Sequence, residues 1–375
     1  MNWGRIVSFL AVASLMSFMI TMPSSHAQDS ASEGVYRGGN SRSGVFDAGS
    51  LPQTPTEIWA FQTGGSVQAT PVYEDGVLYV GGLDGVFYAF EAGTGKRVWP
   101  FRVDAEVRAS ATVANGVVFF GAGNGKYHAL DASSGELLWK FDAGFGISGT
   151  SAISDDVLYL ADEQGSVIAL NSTDGSLIWK SSVNGGVFGS LALANDRLYL
   201  GTSEGKIYCL NVANGSVAWE YETFGSNPST PAVNAGTVYV SSSDRSLYAL
   251  DAEDGTLQWT YDVLRELSSP AASDDMVFVY EDDGTLHAID RENGERKWTA
   301  TIQGNQEVTS PVVSGNSVVL FTHFDIAAFD IRTGESLWTT GAFSGGGGWT
   351  YNSDTVTIAG GMIFFSNMTY VVAMR

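Results

Sequence analysis

The chain is predicted to be all-β, an eight-bladed β-propeller of four-stranded antiparallel blades, on three observations. Tryptophan recurs at Trp59, Trp99, Trp139, Trp179, Trp219, Trp259, Trp298 and Trp338, in steps of 40 residues with one step of 39. Between them run apolar, β-branched and aromatic stretches of four to six residues separated by glycine turns, the pattern of short strands rather than helices. A repeat of this length with several strands per unit is a propeller blade. Finally, the two ends of the chain complement each other, as argued below.

The first element is not part of the ring. Met1 to Arg5 carries one positive charge, Ile6 to Ile20 is an apolar run, and Ser25-His26-Ala27 ends in a small-residue cleavage pattern. Residues 1–27 therefore have the form of a secretory signal peptide, and the mature chain is expected outside the cytoplasm, periplasmic or extracellular. The run is short for a membrane-spanning helix, and no transmembrane segment is expected in the mature chain. No cysteine follows it to carry a lipid. Residues 28–55, containing Tyr36-Arg37-Gly38-Gly39-Asn40-Ser41-Arg42-Ser43-Gly44, form a lead-in.

The propeller is expected over residues 56–375. Seven hairpins precede a tryptophan: AFEAGTGKRVW, ALDASSGELLW, ALNSTDGSLIW, CLNVANGSVAW, ALDAEDGTLQW, AIDRENGERKW and AFDIRTGESLW. Their glycines, Gly95 to Gly334, follow Thr, Ser, Asp or Asn, as tight turns with positive φ require. Trp59 has no such hairpin before it, and the last strands, Gly361–Ser366 and Thr369–Met374, have no tryptophan strand after them. The strand around Thr56–Gln62 is therefore expected to pair beside the strand ending near Met374. That pairing closes the ring and removes the two exposed edges of an open array. The repeated tryptophans are expected to pack between blades. Each would bury about 150–250 Å², roughly 4–6 kcal/mol gross before ordering entropy is subtracted.

Acidic residues number 41 against 19 basic, a net charge of −22, which makes nucleic acid and anionic membranes poor partners. The single cysteine, Cys209, sits in the repeat slot otherwise filled by alanine, so it is read as a buried small residue, and no intramolecular disulfide is possible. Gly201-Thr202-Ser203-Glu204-Gly205 matches a nucleophile-elbow signature, but GGLDG and GAGNG lie in register with it, so it is read as a hairpin turn. Glu281-Asp282-Asp283-Gly284 is likewise a turn rather than a twelve-residue calcium loop. His128 and His287 fill a slot that holds tyrosine elsewhere and are read as packing rings.

What remains after the repeat is subtracted clusters on one rim. There the turns between second and third strands meet the loops that leave each tryptophan strand. Candidate binding residues on it are Arg108, Arg245, Arg265, Glu266, Glu307, His323, Trp349 and Tyr351. Trp349, off the grid and next to Gly345 to Gly348, would suit close approach of a ligand or would plug the axial channel.

The repeat Ala-x-Asp-x-x-Thr-Gly-x-x-x-Trp, seven times in register, resembles the tryptophan-docking repeats of the quinoprotein, or PQQ-like, β-propeller family. The resemblance implies one of two branches. Quinoprotein alcohol dehydrogenases carry pyrroloquinoline quinone (PQQ) with calcium, a vicinal cysteine disulfide and a catalytic aspartate, in longer chains. Propellers similar to the outer-membrane assembly protein BamB are non-enzymatic and of about this size. One cysteine and near-absence of insertions favour the second: a scaffold without cofactor, binding an envelope protein or an extracellular polymer. The alternative is an enzyme at the axial rim, a PQQ-dependent oxidoreductase or a carbohydrate-active lyase or hydrolase, using the same rim residues as base, proton donor and charge-neutralising groups.

Overall fold

The computed structural model describes residues 36–46, 51, 54–302, 309–321, 325–340 and 355–375. The segment expected to be a signal peptide lies outside them, as do Glu307, His323, Trp349 and Tyr351. Eight antiparallel sheets form the ring. Blade 1 consists of Val72–Glu74, Val77–Gly81, Val86–Glu91 and Arg97–Arg102, and the same order recurs at 112–142, 152–182, 192–222, 232–262, 271–301 and 312–339. Blade 8 takes three strands from the end of the chain, Thr357–Ala359, Met362–Asn367 and Tyr370–Met374, and its fourth, Glu57–Gln62, from the beginning. Among the described residues no helix is long and apolar enough to cross a membrane.

Ring closure follows the predicted strand pairing. Glu57 pairs with Met374, Trp59 with Ala373 and Gln62 with Tyr370. Beyond the ladder, Thr56 and Arg375 exchange backbone hydrogen bonds of 2.9 and 3.0 Å. The short first strands of neighbouring blades approach one another and line the axis, whereas the tryptophan strands lie outermost.

The repeat residues explain themselves in this frame. Each tryptophan pairs across its hairpin with the small residue of the repeat, Ala89 with Trp99 and Cys209 with Trp219, and the ladder slips by one residue at that point. In seven of the eight, Trp59 to Trp298, the indole N–H donates to a carbonyl in the hairpin of the next blade, from Trp59 to Ala92 through Trp298 to Ile331, at 2.8 to 3.1 Å. That hairpin's glycine has φ between 69° and 77°. A Cβ on it would lie 2.5 to 2.8 Å from the neighbouring indole, so two independent constraints demand glycine there. The core divides accordingly into clusters of buried side chains, as with Tyr79, Phe87 and Trp99 of blade 1 packed on Val118 and Phe120 of blade 2.

Residues 36–46 of the lead-in are packed inside the ring. Val45–Phe46 adds a fifth, parallel strand to the inner edge of blade 7, pairing Val45 with Val313. Tyr36, Arg37, Arg42 and Phe46 are buried.

Candidate functional site: the loop rim

The predicted rim exists and is rigidly built. Where the chain leaves blade 1, Val103 N–H donates to Gly85 O (2.8 Å) and Val107 N–H to Gly82 O (3.1 Å), both in the turn between second and third strands. Gly123 of blade 2 then donates to Glu106 O (2.9 Å), and the described loops up to the one entering blade 6 are likewise fastened to two blades. A carboxylate completes the attachment at three places. Asp84 accepts from Gly64 N–H (3.0 Å), Asp244 from Phe224 N–H (3.0 Å) and Glu281 from Leu264 N–H (2.9 Å).

Four large apolar side chains stand exposed on successive loops of this rim: Phe145 (54%), Phe188 (46%), Phe224 (96%) and Leu264 (80%). They span the approaches to blades 3, 4, 5 and 6. Phe224 and Leu264 occupy a loop position held by Gly64, Asp104, Gly144 and Asn184 elsewhere. That contrast was readable in the sequence. Tyr248 O–H also donates to Asp244 (2.7 Å), and burial followed by this hydrogen bond raises the tyrosine pKa.

The predicted polar candidates among the described residues, Arg108, Arg245, Arg265 and Glu266, do not form one cluster. Arg108, between blades 1 and 2, pairs with Glu106 at 3.0 Å, with both side chains half-exposed. Arg245, Arg265 and Glu266 share one stretch between blades 5 and 6. Arg245 takes the turn position of Gly85, Gly125 and Gly165 and adopts their left-handed backbone, φ 74°. Its carbonyl accepts from Val263 N–H (3.0 Å), while Arg265 Nε lies 3.8 Å from Asp282 Oδ1. Asp282 N–H donates to Glu266 O at 3.2 Å. Exposed pairs of this kind contribute little to stability.

The two described histidines differ. His128 stacks on Phe120 (centroids 5.1 Å apart) as a packing ring, and burial pushes it down to about 4. His287 belongs instead to a polar relay that the sequence reading missed. Tyr261 O–H donates to Nδ1 (3.0 Å), Nε2–H donates to Glu281 Oε2 (3.0 Å), and the other Glu281 oxygen holds Leu264. A neutral imidazole satisfies every group in this chain. Burial lowers the His287 pKa, while the Glu281 hydrogen bond and charge act in the opposite direction. Both residues are buried, so the relay braces the loop beneath Leu264 rather than meeting solvent.

The remaining chemical motifs are structural. Ser203 sits in a turn and accepts from Gly186 N–H (2.9 Å). Cys209 is fully buried, its thiol pushed up to about 12 mainly by burial. Among the described residues no group of three or more His, Cys, Asp or Glu side chains is arranged to hold a metal ion.

Comparison with known proteins agrees with this geometry. No curated protein matches the sequence. In fold the chain is similar to BamB from Moraxella catarrhalis (TM-score 0.73, 17% identity, 86% of this chain and 100% of that one). It is also similar to the quinohemoprotein alcohol dehydrogenase ADHIIG from Pseudomonas putida HK5 (TM-score 0.77, 14% identity, 92% and 80%). A third similar fold is a europium-containing methanol dehydrogenase (TM-score 0.72, 14% identity, 90% and 89%). At these identities the likeness is one of fold, and it extends to both expected branches. The sequence profile of the family described as outer membrane protein assembly factor BamB matches residues 47–187 and 163–375, so the chain belongs to this PQQ-like β-propeller family.

Proposed function

We propose that this chain is an exported, non-catalytic scaffold of the cell envelope that docks a protein through the rim loops of blades 3 to 6. One observation carries the reading: four consecutive loops present Phe145, Phe188, Phe224 and Leu264 to solvent on a backbone fastened to two blades apiece. Exposed apolar side chains on consecutive loops of a hydrogen-bonded frame suit a protein-docking surface. The nearby cations Arg245 and Arg265 stand out in a chain of net charge −22 and would fix the orientation of an acidic or polar partner surface. Membership of a family described as an assembly factor supports the same reading.

The quinone-enzyme alternative receives less support. A PQQ–calcium centre of the expected kind needs adjacent cysteines and a carboxylate cage. The chain has a single cysteine, buried in a blade wall, and the inner strands of blades 3 to 7 are occupied by Asn40–Phe46. The described residues do not fit the group. Titration with PQQ and calcium is expected to leave the absorbance and melting temperature unchanged.

Affinity capture from the envelope of the source cells tests the docking surface. Wild type and a wall variant, Leu138→Asp, should retain the same partner protein, and the double variant Phe224→Asp, Leu264→Asp should lose it. Equal capture by all three, or capture of nothing, would count against the proposal.

A further inference from the structure

The inner strand of every blade leaves one edge facing the axis, and its backbone groups need partners. Five blades receive them from the lead-in. Leu193, Val233, Ala272 and Val313, the same repeat position in blades 4 to 7, donate their N–H groups to the carbonyls of Asn40, Ser41, Ser43 and Gly44 at 2.7 to 2.8 Å. In blade 3 the side chain of Asn40 takes the role. Its Oδ1 accepts from Ile153 N–H (3.2 Å) and its Nδ2 donates to Ile153 O (2.5 Å). The segment thus turns about the axis at nearly one residue per blade, and Gly44 N–H closes the loop on Arg37 O (3.0 Å).

Arg42 runs the other way. Its guanidinium is fully buried and meets only carbonyl oxygens. Nε donates to Leu191 O (2.9 Å), one terminal nitrogen to Tyr36 O (2.7 Å) and Gly39 O (3.3 Å), and the other to Ser151 O. The Tyr36 ring lies 5.6 Å beneath it. Ser151 is held in turn by Thr112 and Tyr127, from blade 2. The socket is therefore a built acceptor site on blades 2 to 4, shaped for the planar fork of five donors that distinguishes arginine from lysine. Burial without a carboxylate pushes Arg42 down to about 10.

We propose that the axial channel is a peptide-binding site for an arginine-bearing, glycine-rich segment, anchored through the guanidinium. Its resident ligand is this chain's own Tyr36–Phe46. Binding rests on two readouts, inner-strand amides taking the ligand's carbonyls and the Ser151–Leu191 carbonyls taking its guanidinium. Any external peptide must displace the resident segment to enter.

Two measurements on the full chain test this. A protease site placed between residues 48 and 49 lets the segment be cut from a ring that keeps its closing strand. Isotope-labelled synthetic peptide 36–46 should then exchange into the cut protein, and the same peptide with Arg42→Ala should not. In the uncut chain, Arg42→Ala should speed hydrogen exchange of the Leu193, Val233, Ala272 and Val313 amides roughly 10- to 100-fold relative to the Val113 amide, with Arg42→Lys intermediate. Equal exchange of both peptides, exchange of neither, or unchanged protection in Arg42→Ala would overturn the proposal.

Discussion

Acid should destabilise the propeller through His128. The imidazole is buried between Phe120 and Phe101, and its Nδ1 has no hydrogen-bond partner among the described residues. Desolvation, then the charges of Lys140 and Lys126, lowers its pKa to about 4 from an ordinary 6.5. The unfolded chain therefore binds a proton that the folded one refuses. The contribution is fully present above about pH 6.5 and is lost as pH falls from there towards 4. At pH 5 the wild type should have lost about 2 kcal/mol relative to pH 7.5, while still above its isoelectric point of about 4.3. His287 is depressed as well and adds to the loss, so the test is a difference. Urea unfolding of wild type and His128→Phe at both pH values should show the variant losing about 2 kcal/mol less. Equal losses in the two proteins would refute the reasoning.

Other outcomes follow from the same geometry. Trp139→Phe removes the indole N–H bond to Ser172 O and should cost about 2 kcal/mol in chemical denaturation. Gly175→Ala should cost more, about 3 kcal/mol, because φ is 73° and the new Cβ would sit 2.6 Å from the Trp139 ring; a smaller cost than Trp139→Phe would contradict the two-constraint account of that glycine. Arg245→Gly relieves a left-handed arginine and should stabilise by about 1 kcal/mol, while lowering partner capture. A variant that is both less stable and equally competent would remove Arg245 from the docking surface.

The fold was legible because every structural demand is repeated. A tryptophan, the small residue facing it and the hairpin glycine beneath the previous indole recur together, so one unit explains eight. Closure was legible for the same reason, since Trp59 lacked a hairpin and Tyr370–Met374 lacked a tryptophan strand. The lead-in was opaque. Its residues occur once, and their partners lie 113, 149 and 233 residues away, as with Asn40 and Ile153, Arg42 and Leu191, Arg37 and Pro270. Charged candidates were easy to select on the rim, yet Arg108 stands apart from Arg265 and Glu266, because the loop between blades 1 and 2 and the loop between blades 5 and 6 lie four repeats apart around the ring. Glu281 looked like an ordinary turn residue, and only the strand pairing of Val279 with His287 brings it to the imidazole. Phe224 and Leu264 were visible as apolar departures from a polar or glycine loop position, a signal that a search for chemical motifs passes over.

The docking surface is the claim on which the functional account turns. A photoreactive residue at position 224, activated in living cells, should join the propeller to one envelope protein, whereas the same residue at position 138 on the outer wall should not. Adducts at 138 alone, or none at either position, would contradict it.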